Sequence, residues 1–153
     1  MGLITFVYVE RWLEGGWWFA GEMEPHERTW YGFDATKRLA AEYGEEEWPP
    51  YQPAPLIEAY FSAFSRALYI AQGTQPLFEQ RGSPPALSAE LAGDFSFWEM
   101  EEELISWATL DELLARRAEI DAEPLLYPFG EVWEVLCGMG APDAVRLVFA
   151  SAR

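Results

Sequence analysis

Residues equipped for acid–base, nucleophilic or metal chemistry are few in this chain, and they stand apart from one another. The one histidine, His26, falls in Glu24-Pro25-His26-Glu27-Arg28, with no second His, Cys or Ser spaced to complete a metal set or a triad. It reads as a surface turn. The one cysteine, Cys137, follows Leu136 at the end of an apolar stretch, where a free thiol behaves as a small buried hydrophobe. A nucleophilic thiol would need a base and electropositive surroundings. Glu99, Glu101, Glu102 and Glu103 lie close together, and carboxylates ligate hard cations, but their spacing does not follow a calcium loop. They read as a solvated face. Paired carboxylates for glycoside hydrolysis have no local pattern that selects one pair over another. No catalytic residue, metal ligand or cofactor is assigned.

Arg66 and the pair Arg81-Gly82 stand out for their rarity. With 10 Lys plus Arg against 26 Asp plus Glu, a cation is commonly held by a specific partner, either an internal carboxylate or a bound ligand. Pairing with an internal carboxylate is the expected role of Arg66 and Arg81, and ligand contact at Arg66, Arg81 and Gly82 is the rival, with the connection from Gly73 to Pro85 as the wall of a pocket.

The formal charge of −16 accompanies 50% apolar and 16% aromatic residues. Disordered chains combine high charge with few aromatics, so the charge here belongs on the outside of a folded body. A chain of 153 residues is expected to form one domain, 1–153, burying about 70% of the surface it exposes when unfolded. A lone cysteine, an N-terminus without a basic signal region and the lack of a long apolar run predict a soluble, cytoplasmic protein of a bacterial cell, with no membrane partner. The acidity also disfavours direct nucleic-acid binding. Eight tryptophans are too many for one small core, so some are expected at the surface as interface anchors. Trp48, in the acidic proline stretch with Glu45, Glu46 and Glu47, is the leading candidate, and Glu99, Glu101, Glu102 and Glu103 form a second candidate patch.

These residues need a frame to position them. Leu3–Glu10 and Trp17–Glu22 are rich in β-branched and aromatic residues and flank Glu14-Gly15-Gly16, which predicts an N-terminal hairpin. Asp34 to Tyr43, stopped by Gly44, reads as a short helix. Glu45 to Pro55, with its four prolines, reads as a surface loop. The apolar spacing of Leu56, Tyr60, Phe64, Ala67 and Ala71 predicts a helix over Leu56–Ala71. Thr109 and Glu112 have capping-box spacing, which predicts a helix from Leu110 to about Ala118. A last helix is expected over Phe129–Leu136, ended by Gly138, then a turn at Ala141-Pro142-Asp143 and a strand over Val145–Phe149.

Several of these segments resemble a family of small, uncharacterised bacterial and phage proteins. Its members open Met-Gly-Cys-Asp-Ile-His and run on to Tyr-Val-Glu, and this chain has Met1-Gly2 and Tyr8-Val9-Glu10 at the same spacing. Arg81-Gly82-Ser83-Pro84, with Ser88 and Glu90, is similar to the family's Arg-Gly-x-Pro and Ser-x-Glu segments. Ser106-Trp107-Ala108-Thr109-Leu110-Asp111-Glu112-Leu113-Leu114 is similar to its Ser-Trp-x-Thr-Leu-x-Glu-Leu-Leu segment, and Val145-Arg146-Leu147-Val148-Phe149 to its C-terminal Val-Arg-x-Val-Phe strand. The family's Cys, Asp and His fall on Leu3, Ile4 and Phe6, and its later histidines near Glu103 and Ile105. The resemblance implies the same frame and a phage or bacterial origin, without a polar centre at those positions.

An α+β domain follows, with the N-terminal hairpin and the C-terminal strand in one sheet packed by about four helices. The expected function is a non-catalytic acidic binding protein: an adaptor, or a phage-encoded inhibitor of a host protein, in one version a DNA mimic. Its partner would be a protein with a basic surface. The alternatives are a small-molecule, nucleotide-like binder or enzyme with a pocket near Arg66 and Arg81, and an immunity protein against a basic toxin. Oligomeric state is left open.

Overall fold

The computed structural model describes residues 3–26, 49–60, 62–69 and 76–152. Strand β1 (Ile4–Leu13) and strand β2 (Gly16–Phe19) form the expected hairpin, in register from Glu10↔Phe19 to Leu13↔Gly16. Its turn is Glu14-Gly15, at φ 51° and 82°. Two positive φ values in a two-residue loop give the twist that antiparallel strands need. A small two-stranded ribbon follows, β3 (Met23–Pro25) with β4 (Tyr51–Pro53), so the proline stretch expected to be a loop contains a strand. Strand β5 (Ile57–Ala59) then pairs with Thr5–Val7 on the edge of β1 that β2 leaves open.

The helix expected over Leu56–Ala71 is therefore shorter. Helix α1 covers Ser62–Leu68. Alternation of Ile57 and Ala59, both buried beside Val7 and Thr5, outweighs the helical spacing of the same stretch because pairing satisfies the backbone and buries both side chains at once. The segments expected as a helix at Asp34–Tyr43 and as an interface at Glu45, Glu46, Glu47 and Trp48 lie outside the described residues.

Helix α2 (Ala89–Phe97) was not foreseen in the sequence. Beyond a short 3-10 turn, strand β6 (Ile105–Thr109) leads directly into helix α3 (Leu110–Ala115), whose capping box is formed: Thr109 Oγ1 accepts from Glu112 N–H, and Glu112 accepts from Thr109 N–H. Helix α4 (Arg117–Ala122), a kinked 3-10 segment (Pro124–Glu131) and helix α5 (Trp133–Cys137) complete the helical part. Strand β7 (Val145–Ala152) then crosses the centre of the sheet with all eight residues buried.

The sheet runs β2-β1-β7-β6, entirely antiparallel, with β5 extending the β2 edge. The chain is an α+β protein whose two terminal strands lie side by side. One face carries Val7, Val9, Leu147, Phe149 and Ala108 against α1, α3 and the C-terminal helical segments; there Phe64 stacks on Phe129 at 6.2 Å and Tyr69 on Phe149 at 5.8 Å. The opposite face carries Phe6, Tyr8, Val148 and Ala150 against Leu91 and Phe95 of α2. Because β1 and β7 are covered on both sides, neither could read as a simple alternation of apolar and polar residues.

Candidate functional site

The scarce cations go first to internal carboxylates. Arg146, 1% exposed, lies in β7 opposite Glu10 of β1, which is 0% exposed. Arg146 Nε donates to Glu10 Oε1 at 2.7 Å, and Glu10 Oε2 accepts from Ser88 N–H at 2.7 Å. The guanidinium lies 4.1 Å from the Trp17 ring and 5.8 Å from the Trp107 ring, and it donates to the Ala86 carbonyl at 3.3 Å. Burial pulls the Arg146 pKa down, and the Glu10 carboxylate opposes that pull. The pair fastens the loop ahead of α2 to the sheet. Ala86 is kept there at φ 54°, a left-handed conformation that costs an ordinary residue about 1–2 kcal/mol.

Arg81 closes the opposite edge. Among the described residues β6 pairs only with β7, so an edge strand would present free carbonyls. Gln80 Nε2 donates to Ile105 O at 2.5 Å and Arg81 Nη1 to Trp107 O at 3.3 Å, which blunts that edge against unwanted pairing. The Arg81 guanidinium sits 4.8 Å over the Trp107 ring and binds both Glu112 oxygens. Gly82, at φ 74°, turns the chain so that Ser83 N–H reaches Glu102 Oε1 at 2.6 Å; a Cβ on Gly82 would stand 2.6 Å from that same oxygen.

Glu112 thus serves two partners, and Arg81, aided by Thr109, holds its pKa down to about 2 from 4.5. A lowered carboxylate pKa stabilises the fold above the unfolded value, and this support is lost as pH falls from 4.5 toward 2. Glu112→Gln keeps a capping-box side chain while removing the charge. It should cost about 1 kcal/mol at neutral pH, discounted for solvent screening, and the difference from the parent protein should vanish in acid, as read by urea unfolding at stepped pH.

Arg66 has a different setting. It is exposed on the last turn of α1 and lines a hollow of about 590 Å³ with Ala63, Leu77, Glu119, Glu123 and Leu125. Glu119 is bound to Arg116, and Glu123 accepts from Leu125 N–H. Arg66 and Arg81 therefore belong to separate places, and the structure does not bring them into one pocket.

Three exposed apolar side chains, two of them tryptophans, lie instead at the tip of the first hairpin: Trp12 (45%), Leu13 (45%) and Trp18 (54%). Trp12 packs edge-on against Trp17 at 5.4 Å, and Trp18 Nε1 donates to Leu13 O at 3.0 Å, so the tip is ordered by its own contacts. Leu13 and Trp18 share the sheet face of Val9 and Ala20. One pleat along, Val9 and Ala20 line an apolar hollow of about 370 Å³ with Leu56, Val135 and Met139. Leu56 also walls a hollow of about 190 Å³ lined by Glu58, Tyr127 and Glu131. Burial raises the Glu58 pKa above 4.5, with Tyr60 O–H opposing and the Glu24 charge adding. Sequence reasoning missed this surface. Its signal was there in Trp12-Leu13 and Trp17-Trp18: consecutive apolar residues in a strand point to opposite faces, and the outer end of a hairpin has nothing to cover both.

His26 and Cys137 depart from expectation. The His26 ring is stacked on Trp98 at 5.3 Å and meets Phe97 edge-on at 5.2 Å, half-buried among aromatics and not in a solvated turn. Cys137 is exposed, because Leu136 takes the inward position at the end of α5. Glu99, Glu101, Glu102 and Glu103 are all exposed, and Glu102 is tied to Ser83. Among the described residues no three His, Cys, Asp or Glu side chains are grouped so as to hold a metal ion. No family model, curated protein or solved structure matches the chain.

Proposed function

We propose that this chain is a non-catalytic, acidic protein-binding module that docks on a basic surface of a partner protein. The observation that carries this reading is the hairpin tip, where Trp12, Leu13 and Trp18 stand exposed on an ordered support in a chain of net charge −16. Exposed aromatic anchors on rigid strands are the usual source of interface energy. The acidic excess of the whole chain favours a cationic partner and disfavours a second copy of it, while at the tip itself Arg11 stands opposite Trp18 and Glu14 occupies the turn. The internal neutralisation of Arg81, Arg116, Arg117 and Arg146 by Glu112, Glu119, Asp121 and Glu10 supports the same view, because it leaves the acidic excess on the outside.

A phage-encoded inhibitor of a host protein, acting in the cytoplasm, is the form that the sequence resemblance suggests. An immunity protein against a basic toxin would use the same surface, and a DNA mimic would use Glu99, Glu101 and Glu103 in place of phosphates. Among the described residues no helix is long and apolar enough to cross a membrane. A second reading, a binder of small organic anions, has one observation behind it: the hollow beside Arg66.

Purification from the native host followed by mass spectrometry under non-denaturing conditions tests both. The expected product is a complex with a basic protein whose dissociation constant rises about tenfold or more between roughly 0.05 and 0.5 M salt. A retained small molecule in place of a protein, or affinity indifferent to salt, would overturn the docking reading.

A further inference from the structure

We propose that the outer edge of β2 is a strand-addition site, on which an extended segment of the basic partner pairs through its backbone and lays a β-branched side chain beside Trp18. This deepens the reading of the protein as an acidic docking module and rests on it. The hairpin register decides which backbone groups the edge offers. Around a two-residue loop the flanking pair, here Leu13 and Gly16, exchanges hydrogen bonds, and the exchange recurs at every second pair. Gly16 and Trp18 therefore turn their N–H and C=O groups toward β1. The Ala20 N–H continues the alternation by donating to Val9 O at 2.8 Å. Trp17 and Phe19, between them, turn their N–H and C=O groups outward. Among the described residues β2 pairs with β1 alone, and no backbone hydrogen bond reaches those four groups.

The far edge of the same sheet is treated differently. There Gln80 and Arg81 donate to the carbonyls of Ile105 and Trp107 and stop further pairing. The β2 edge has no such cover among the described residues, and it is held rigid. Trp17 sits 4.1 Å from the Arg146 guanidinium and 5.4 Å from Trp12, and Phe19 packs edge-on against Tyr8 at 6.5 Å. Two donors and two acceptors on fixed residues two apart complement a strand, because a helix uses its own backbone groups internally. Pairing at Trp17 and Phe19 sets the partner residue between them directly opposite Trp18, at about 5 Å. Trp18 is more than half exposed, and aromatic rings opposite β-branched residues form favourable cross-strand pairs. Glu14 precedes the edge and Glu22 follows it, both exposed, in a chain of net charge −16. Cationic flanks on the added strand complement that charge.

The probe is the blocked peptide Lys-Thr-Val-Thr-Val-Thr-Lys, N-methylated at both Val so that it cannot stack on itself and offers only its Thr edge. Amide hydrogen exchange of the full chain is read by NMR with and without it. In the free chain Trp17 and Phe19 should exchange fast, and Trp18, bonded to β1, slowly. Peptide at about 5 mM, a range that four backbone hydrogen bonds can support, should slow Trp17 and Phe19 about threefold or more. Methylating the Thr residues as well closes the second edge and should abolish that protection. Exchanging both Val for Ser should weaken binding about twofold to fivefold. Unchanged exchange at Trp17 and Phe19 would overturn the proposal. Equal binding by the fully methylated peptide would also overturn it, by showing side-chain docking without strand pairing. Protection in the free chain that rises with its own concentration would do the same, by seating a second copy on the edge. If a basic partner captured from the native host leaves Trp17 and Phe19 exchanging fast, this inference fails alone. If no basic partner is captured and the peptide gives no protection, the docking reading fails with it.

Discussion

Arg146→Met alone should lower the unfolding free energy by about 3–5 kcal/mol, because it leaves Glu10 as a buried, uncompensated charge. For a domain whose total stability is on the order of 5–15 kcal/mol, that change brings the chain near the limit of folding. The local consequences extend beyond the pair. Ala86 O loses a donor, and the Trp17 and Trp107 rings lose the guanidinium between them. Of its bonds to the buried pair, the loop leading into α2 then keeps that from Ser88 N–H to Glu10, in which the carboxylate itself is now destabilised. Glu10→Leu combined with Arg146→Met should recover most of the loss, since apolar replacement of a buried ion pair is often neutral or better. Urea midpoints of the two single variants and the double variant measure this. If Arg146→Met costs less than about 1 kcal/mol, the pair is not the clamp described here.

How far the sequence could reveal this arrangement depends on the range of the interaction that fixes each part. The first hairpin and the α3 capping box are local: Glu14-Gly15 sets one turn, and Thr109 with Glu112 sets one helix start. Both are legible. Strand β7 is legible at Val145–Phe149 but extends to Ala152, because Ser151 Oγ bonds Tyr69 O–H at 2.5 Å and Thr5 Oγ1 at 3.0 Å across the chain. Helix α2 is poorly legible because Gly93, Asp94 and Ser96 are weak helix formers; it persists through Leu91 and Phe95 packing on the Tyr8 side of the sheet. Strand β5 depends wholly on Thr5–Val7, some fifty residues away in the sequence.

The candidate site follows the same rule. Glu10 and Arg146 lie 136 residues apart, yet each left a trace as an opposite charge inside an apolar strand, Tyr8-Val9-Glu10 and Val145-Arg146-Leu147. A charge in such a position needs a partner. The rarity of Arg81 was legible, and its partners were not: Glu112 and the carbonyl of Trp107 meet it only after β6 takes its place beside β7. The apolar hollow at Leu56 was beyond reach, since Val9 of β1, Ala20 after β2, Leu56 before β5 and Val135 of α5 all contribute to it.

Trp18→Ala should weaken the complex with a basic partner by about 2 kcal/mol or more, roughly thirtyfold in dissociation constant. Trp18 is more than half exposed on the free protein, so truncation should cost the fold about 1 kcal/mol or less, and a lost complex cannot be attributed to unfolding. Trp18→Phe separates two contributions. It keeps an aromatic surface but removes the Nε1 bond to Leu13 O that orders the tip, and an intermediate affinity is expected. Glu14→Gln, at the turn, should act differently: an exposed rim charge alters association rate and salt response more than dissociation rate. A kinetic binding measurement on these variants therefore distinguishes anchor from steering. If Trp18→Ala and Trp12→Ala both bind like the parent while Glu14→Gln and other carboxylate changes weaken the complex, the hairpin is not the anchor and the acidic surface acts alone. If the dissociation rate rises steeply with Trp18→Ala and hardly at all with Glu14→Gln, charge brings the partner in and tryptophan retains it.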